Sequence, residues 1–132
     1  MVIVDTTVWI DYLRLVENPE TLWLERHLDS QRLALTDLSL CEILQGTRDP
    51  KDLREVQADL LRFRIYETGG TEIAIAAAMN YLSLRERGYT VRKTIDCIIA
   101  TFCLRGGHEL LHRDRDFDPF EQALGLKVVL TS

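Results

Sequence analysis

The chain predicts an α/β fold, a three-layer α/β/α sandwich on a central, mostly parallel sheet. Short aliphatic runs alternate with stretches of helical periodicity, and no repeat or low-complexity linker interrupts them. At 132 residues the chain is long enough to bury one proper core, so residues 1–132 are expected to form a single domain.

Each element has a local reason. Val2-Ile3-Val4 is short, β-branched and continuous, as in a strand buried on both faces. Asp5-Thr6-Thr7 starts a helix with Val8, Trp9, Tyr12 and Leu13 on one side. Pro19 and Glu20 open a second helix carrying Leu22, Trp23, His27 and Leu28. Leu33 to Thr36 reads as a strand, and Asp37 as the cap of a helix running to Gly46. Asp49-Pro50 marks the cap and first turn of the next helix, to about Leu61. Phe63 to Glu67 is a weaker strand before the Gly69-Gly70 turn. Thr71 and Glu72 begin a long alanine-rich helix ending near Gly88. Thr94 is expected to cap a helix that stops at Gly106-Gly107. Glu109 to His112 and Lys127 to Leu130 are the last strands.

Composition is that of an ordinary soluble domain, 46% hydrophobic and 28% charged. The opening Met-Val-Ile-Val-Asp has neither the basic nor the long apolar region of a signal peptide, and no apolar run is long enough for a membrane span. A cytoplasmic protein is expected. Cys41, Cys97 and Cys103 form no C-x-x-C pair and lie among apolar residues, which suggests three buried, reduced thiols rather than a zinc site. The net charge of −5 disfavours nucleic acid as a partner, but it is unevenly spread. Residues 1–61 balance at −6. Residues 62–115 balance at +3 and contain Arg85, Arg87, Arg92, Lys93, Arg105, Arg113 and Arg115.

The chemistry lies in isolated carboxylates. Asp5 closes the first strand, Glu42 interrupts the apolar run Leu38 to Leu44, Asp96 stands within Thr94-Ile95-Asp96-Cys97-Ile98-Ile99-Ala100, and Asp114 and Asp116 follow Leu110-Leu111. A carboxylate among aliphatic neighbours is costly to desolvate unless partnered, and gathered carboxylates call for a cation. In a parallel sheet ligands bind beyond the carboxyl ends of the strands, where Asp5, Asp37 and the Asp114/Asp116 pair should stand. Glu42, about one and a half turns into its helix, and Asp96, in the first turn of its own, can face the same crevice. Taken singly, Asp5 reads as a helix cap, Asp96 as a first-turn carboxylate favoured by the helix dipole, and Asp114, Asp116 and Asp118 as a solvated loop before Pro119. Glu42 has the least comfortable structural explanation.

The motifs together resemble the PIN-domain nucleases, and within them the VapC-type toxins of type II toxin–antitoxin pairs. The resemblance spans essentially the whole chain. It rests on Val4-Asp5-Thr6-Thr7-Val8-Trp9-Ile10-Asp11-Tyr12-Leu13, on Thr36 to Gly46 with Ser39 and Glu42, on Thr94 to Ala100, and on Leu111-His112-Arg113-Asp114-Arg115-Asp116-Phe117. It implies a PIN-like sandwich and a metal-dependent endoribonuclease, the toxin of a VapBC-type pair. The implied acidic quartet is Asp5, Glu42, Asp96 and Asp114, with Asp116 near the metal and Thr7 supplying a hydroxyl. Asp5 and Asp96 are the leading candidates for direct ligands, and Glu42 for a ligand or water-orienting base. His112 is a departure, where the family more often carries a small hydroxyl or amide residue.

Hard oxygen donors select one or two Mg²⁺ or Mn²⁺ ions, which acidify an attacking water and, about 3.5–4 Å apart when paired, stabilise the leaving oxygen. The implied partners are RNA, a small VapB-like antitoxin that blocks the acidic site with a basic side chain, and a second copy of the chain. A groove along Trp9, Tyr12, Trp23, Leu24 and Leu28 is a candidate for the antitoxin helix, and the helix from Thr71 to Arg87 for a homodimer contact.

Three other functions compete. A catalytically weak PIN-like binding or regulatory module is disfavoured because no member of the quartet is missing. A phosphatase on a similar sheet needs a Gly-rich phosphate loop, which the chain lacks. His108-Glu109-Leu110-Leu111-His112 matches H-E-x-x-H of the zinc proteases, but that chemistry needs both histidines on one face of a helix. Gly106-Gly107 should stop the helix there, and on a strand the two histidines stand about 13 Å apart.

Overall fold

The computed structural model describes residues 1–131. Strands β1 (Val2–Val4), β2 (Leu33–Thr36), β3 (Arg64–Tyr66), β4 (Glu109–Leu111) and β5 (Lys127–Val128) form one sheet in the order β3-β2-β1-β4-β5. Every neighbouring pair is parallel. β5 is shorter than the aliphatic run to Leu130 suggests. Val129 adds one further bond, its N–H donating to the Leu110 carbonyl, and Leu130 turns to solvent.

Seven α-helices connect the strands: α1 (Thr6–Leu13), α2 (Pro19–Arg26), α3 (Asp37–Gln45), α4 (Pro50–Leu60), α5 (Thr71–Glu86), α6 (Thr94–Gly106) and α7 (Asp118–Leu124). The period-two alternation of strand side chains sends the buried residues to two faces. Val2, Val4, Leu33, Leu35 and Leu111 pack against Val8, Trp9, Leu24, Ile43 and Leu60 from α1 to α4. Ile3, Ala34 and Leu110 point the other way, onto Ala77, Leu84, Ile99, Ala100 and Phe120 from α5 to α7. Each fully buried aliphatic contributes roughly 1.5–3 kcal/mol. Layers of helix, sheet and helix follow directly from that alternation.

Several caps refine the sequence expectations. Pro19 is the first residue of α2, as expected, and Asn18 before it caps the helix through a reciprocal capping box with Thr21. Thr36, not Asp37, caps α3, accepting the Ser39 N–H. Thr94 is the first residue of α6 and not its cap; that place falls to the extended backbone of Lys93, with no side-chain bond. Asp49 caps α4 as its Pro50 signature implies. The left-handed Gly107 (φ 66°) ends α6, and a Cβ on Gly106 would meet the His108 ring at 2.5 Å. The stretch after Asp114 is no solvated loop: it forms a 3-10 turn (Arg115–Phe117) and then α7, with Phe117 and Phe120 wholly buried. Cys97 and Cys103 are buried as expected, whereas Cys41 lies on the outer face of α3 and is exposed. No described helix is long and apolar enough to cross a membrane.

The strand order has a functional consequence. From β1 the chain runs outward through β2 to β3, then returns through α5 and α6 to place β4 on the opposite side of β1. Connections leave β1 and β4 toward opposite faces, and a crevice opens beyond their carboxyl ends.

Candidate metal centre

Asp5 follows β1 into that crevice and is almost wholly buried. It is the N-cap of α1, and its Oδ2 accepts the Thr7 N–H at 3.2 Å and the Thr7 hydroxyl at 2.7 Å. Burial pushes its carboxyl up from the usual range despite those bonds. The Thr7 hydroxyl oxygen also accepts the Arg113 N–H, linking the loop after β1 to the loop after β4. Glu42, half-buried on α3, accepts the Thr6 hydroxyl on Oε1 at 2.9 Å.

Asp96 occupies the third position of α6 and is buried. Its Oδ2 is shielded from solvent and accepts no hydrogen bond. Desolvation, then the neighbouring charge of Asp5, pushes its carboxyl up to about 7, against the opposing pull of Lys93. Charge on Asp114 and Glu42 adds to the rise, so all four acids of the quartet share one electrostatic neighbourhood.

Asp114 caps the 3-10 turn, its Oδ1 accepting the Asp116 N–H at 2.9 Å. Burial raises its carboxyl, but the Asp116 N–H and the Lys93 ammonium outweigh that and leave it below the usual range. Asp96, Asp114 and Asp116 each offer an oxygen within 4.8 Å of the others. Lys93 Nζ lies among them, 3.1 Å from Asp114, 3.7 Å from Asp116 and 3.8 Å from Asp96. At that last distance it balances the charge of Asp96 Oδ2 without hydrogen-bonding it.

The structure therefore brings Asp5, Glu42, Asp96, Asp114 and Asp116 to one crevice, though not equivalently, and leaves Asp37 outside it. Asp96, Asp114 and Asp116 form the closest oxygen set, while Asp5 and Glu42 stand around it with one oxygen each fixed by a threonine. An all-oxygen donor set with an orphaned buried carboxylate oxygen fits a hard divalent cation. Thr6 and Lys93 had no assigned role in the sequence; Lys93 lies three residues before Asp96, the spacing that puts two side chains on one helical face.

Three other sequence candidates resolve structurally. Asp37 Oδ1 accepts from the Leu38 N–H, the Thr68 N–H and the Thr68 hydroxyl, far more bonding than Asp96 has. His108 and His112 flank opposite ends of β4. The first packs on Tyr66 and Phe102, and the second packs on Phe117 and accepts the Asp114 N–H, which excludes the helical zinc arrangement. His27 is half-buried and stacked on Trp23.

A doubly wound parallel sheet with an acidic cluster at its switch point defines a class: α/β domains whose gathered carboxylates could hold a metal ion. Residues 2–121 match the PIN domain, and the chain belongs to that family. VapC ribonuclease Mb1587 of Mycobacterium bovis is 29% identical over 129 residues, covering 96% of each chain. Ribonuclease VapC11 of Mycobacterium tuberculosis matches at the same identity and coverage. Among solved structures, VapBC2 from Rickettsia felis, bound to a promoter DNA fragment, superposes with a TM-score of 0.76 at 14% identity, covering 98% of both chains. FitAcB from Neisseria gonorrhoeae does so at 0.74 and 18%, over 99% of this chain and 98% of that one. At those identities the structures speak for the fold.

Proposed function

We propose that the chain is a Mg²⁺- or Mn²⁺-dependent endoribonuclease, the toxin of a VapBC-type pair. The observation that carries this is Asp96 Oδ2, buried and without a hydrogen bond, beside oxygens of Asp114 and Asp116. Relatives named VapC ribonucleases, matched across nearly their whole length, supply the substrate class.

Asp96, Asp114 and Asp116 would hold the ion. Bound there, it would acidify a water and offset charge at the phosphodiester. Asp5, immobilised through Oδ2 by Thr7, keeps Oδ1 for orienting that water. Glu42, held by Thr6 through Oε1, keeps Oε2 to accept its proton. Thr7 fixes the distance between the two loops by its bonds to Asp5 and Arg113. Arg92 and Arg115, exposed beside these acids in the chain and without a side-chain partner among the described residues, supply positive charge for RNA. Arg113 is paired with Glu20 and less available.

Two surfaces suit protein partners. A cleft of about 590 Å³ between α1, the loop after α2 and the end of α4 is lined by Tyr12, Leu28 and Phe63 over buried Trp9 and Leu60, with Arg62 and Arg64 among its polar groups. It would receive the apolar face of an antitoxin helix. Of the sequence candidates for that groove, Trp9 and Leu24 are wholly buried and belong to the core, Trp23 is occupied by His27, and Tyr12 and Leu28 remain to line it. Ile75, Met79 and Leu82 form an exposed apolar stripe on α5, suited to self-association.

The test is cleavage of a structured RNA pool by antitoxin-free protein in Mn²⁺, Mg²⁺ or EDTA, beside Asp96→Asn. Cleavage that needs the metal and disappears in the variant supports the nuclease. A folded, Mn²⁺-binding wild type that leaves the pool intact points to a very selective substrate or to the binding module.

A further inference from the structure

Among the described residues, Lys93 is the cation that forms ion pairs with the acidic cluster. Its ammonium lies within 4 Å of the same three carboxylates that best suit a divalent ion, and those contacts come from three different places: the first turn of α6, the cap of the 3-10 turn, and the turn itself. No single helix pairing accounts for that. An ammonium donates hydrogen bonds and brings one positive charge; a divalent ion brings two and draws the oxygens closer. Both cannot hold the three carboxylates at once.

The side chain is also free to leave. It is 56% exposed, its backbone is extended just outside α6, and four carbons of stem give its head a long arc. Asp114 and Asp116, at 16% and 19%, stay in place. The neighbouring Arg92 is exposed, so the chain carries a second cation next to Lys93.

We propose that Lys93 is an exchangeable cation of the site: it competes with the divalent ion for Asp96, Asp114 and Asp116, and once displaced it contacts the RNA phosphate. The inference rests on the ribonuclease function above. It makes Lys93 set the metal affinity as well as the grip on substrate. A protein short of metal thus keeps part of its acidic charge offset, and loading the site frees a group that attracts RNA.

Mn²⁺ titration followed by the electron paramagnetic resonance of the free ion, on wild type and Lys93→Met without RNA, tests the exchange. The variant removes the charge, keeps most of the stem and alters a half-exposed position; its melting temperature beside wild type confirms the fold. Mn²⁺ should bind the variant more tightly, by roughly two- to fivefold, the scale of losing a partly exposed competing ion pair. Equal or weaker binding overturns the exchange. At saturating Mn²⁺ the variant should show a raised KM for RNA with little change in kcat. Its affinity should also depend less steeply on salt, by roughly 0.7 in the logarithmic slope, the loss of one single-strand phosphate contact. An unchanged KM and slope overturn the phosphate contact. Failure of wild type to bind Mn²⁺ sinks the metal centre itself, whereas equal binding by both proteins sinks only the role of Lys93.

Discussion

Two aspartates sit in the first turns of two helices on the same edge of the sheet, and their surroundings differ sharply. At the β2–α3 corner, Asp37 Oδ1 accepts three hydrogen bonds and fastens the wholly buried Thr68. At the β1–β4 crevice, Asp96 is more deeply buried, faces three other acids, and leaves Oδ2 without a donor. One carboxylate is satisfied by the protein and holds two segments together. The other is destabilised by its burial and is the carboxylate we assign to the proposed ion. Residue type and helical position do not distinguish a structural acid from a functional one; the hydrogen-bond count does.

That contrast breaks first on activity. Asp96→Asn should reduce RNA cleavage by at least about a hundredfold, since it removes charge where the ion must sit. Asp37→Ala should leave cleavage within a few-fold of wild type. If the two variants lose comparable activity, the distinction fails.

Stability should invert the order. Asp37→Ala strands the Thr68 N–H and hydroxyl and should cost about 1–3 kcal/mol in urea unfolding. Asp96→Asn, measured in EDTA, should be no less stable than wild type because it relieves repulsion from Asp5. Adding Mn²⁺ at about a hundred times its dissociation constant should stabilise wild type and Asp37→Ala by about 2.7 kcal/mol, and Asp96→Asn by far less.

The pH dependence sharpens the comparison further. Asp96 titrates at about 7 in the folded chain against an ordinary 3.8, so the folded state binds more protons than the unfolded state across that window. Its contribution to stability is therefore greatest at low pH and falls as pH rises toward 7. Asp5, raised by burial, acts in the same direction; Asp114, lowered, acts oppositely and loses its contribution as pH falls. In EDTA, wild type should lose stability relative to Asp96→Asn between about pH 4 and pH 7, as read by thermal melts. Parallel curves would remove Asp96 from the account.

The smallest effect belongs to Thr7. Thr7→Val removes the 2.7 Å bond to Asp5 and the acceptor for the Arg113 N–H, which should lower stability by about 1 kcal/mol and cleavage several-fold. Because Asp5 is still capped by backbone, a larger loss would mean that the hydroxyl touches substrate.

Much of this architecture can be read in the sequence because burial writes itself into periodicity. Val2-Ile3-Val4 and Leu33 to Thr36 are apolar on both sides because helices cover both faces, and Asp49-Pro50 marks a helix start through local backbone chemistry alone. Asp5, Glu42, Asp96, Asp114 and Asp116 stand out because each interrupts or ends an apolar stretch. What the sequence conceals depends on the fold. Thr36 and Asp37 are both good caps, and only the backbone angles choose between them. Asp118-Pro119 opens α7, but seven residues are too few for a clear period, and Phe117 and Phe120 declare themselves only once buried. Cys41 looks like core until the turn of α3 exposes it. Lys93 looks like one cation among many until Asp114 and Asp116 converge on it beside Asp96.

The most direct test of the central claim is the position of Mn²⁺ in crystals of the protein, located by its anomalous scattering. A peak within coordination distance of Asp96, Asp114 and Asp116 oxygens, with Lys93 Nζ displaced from them and nothing at Asp37, is the result expected. A fully occupied peak elsewhere on the chain, or a crevice that still holds Lys93 and no ion at millimolar Mn²⁺, would contradict it.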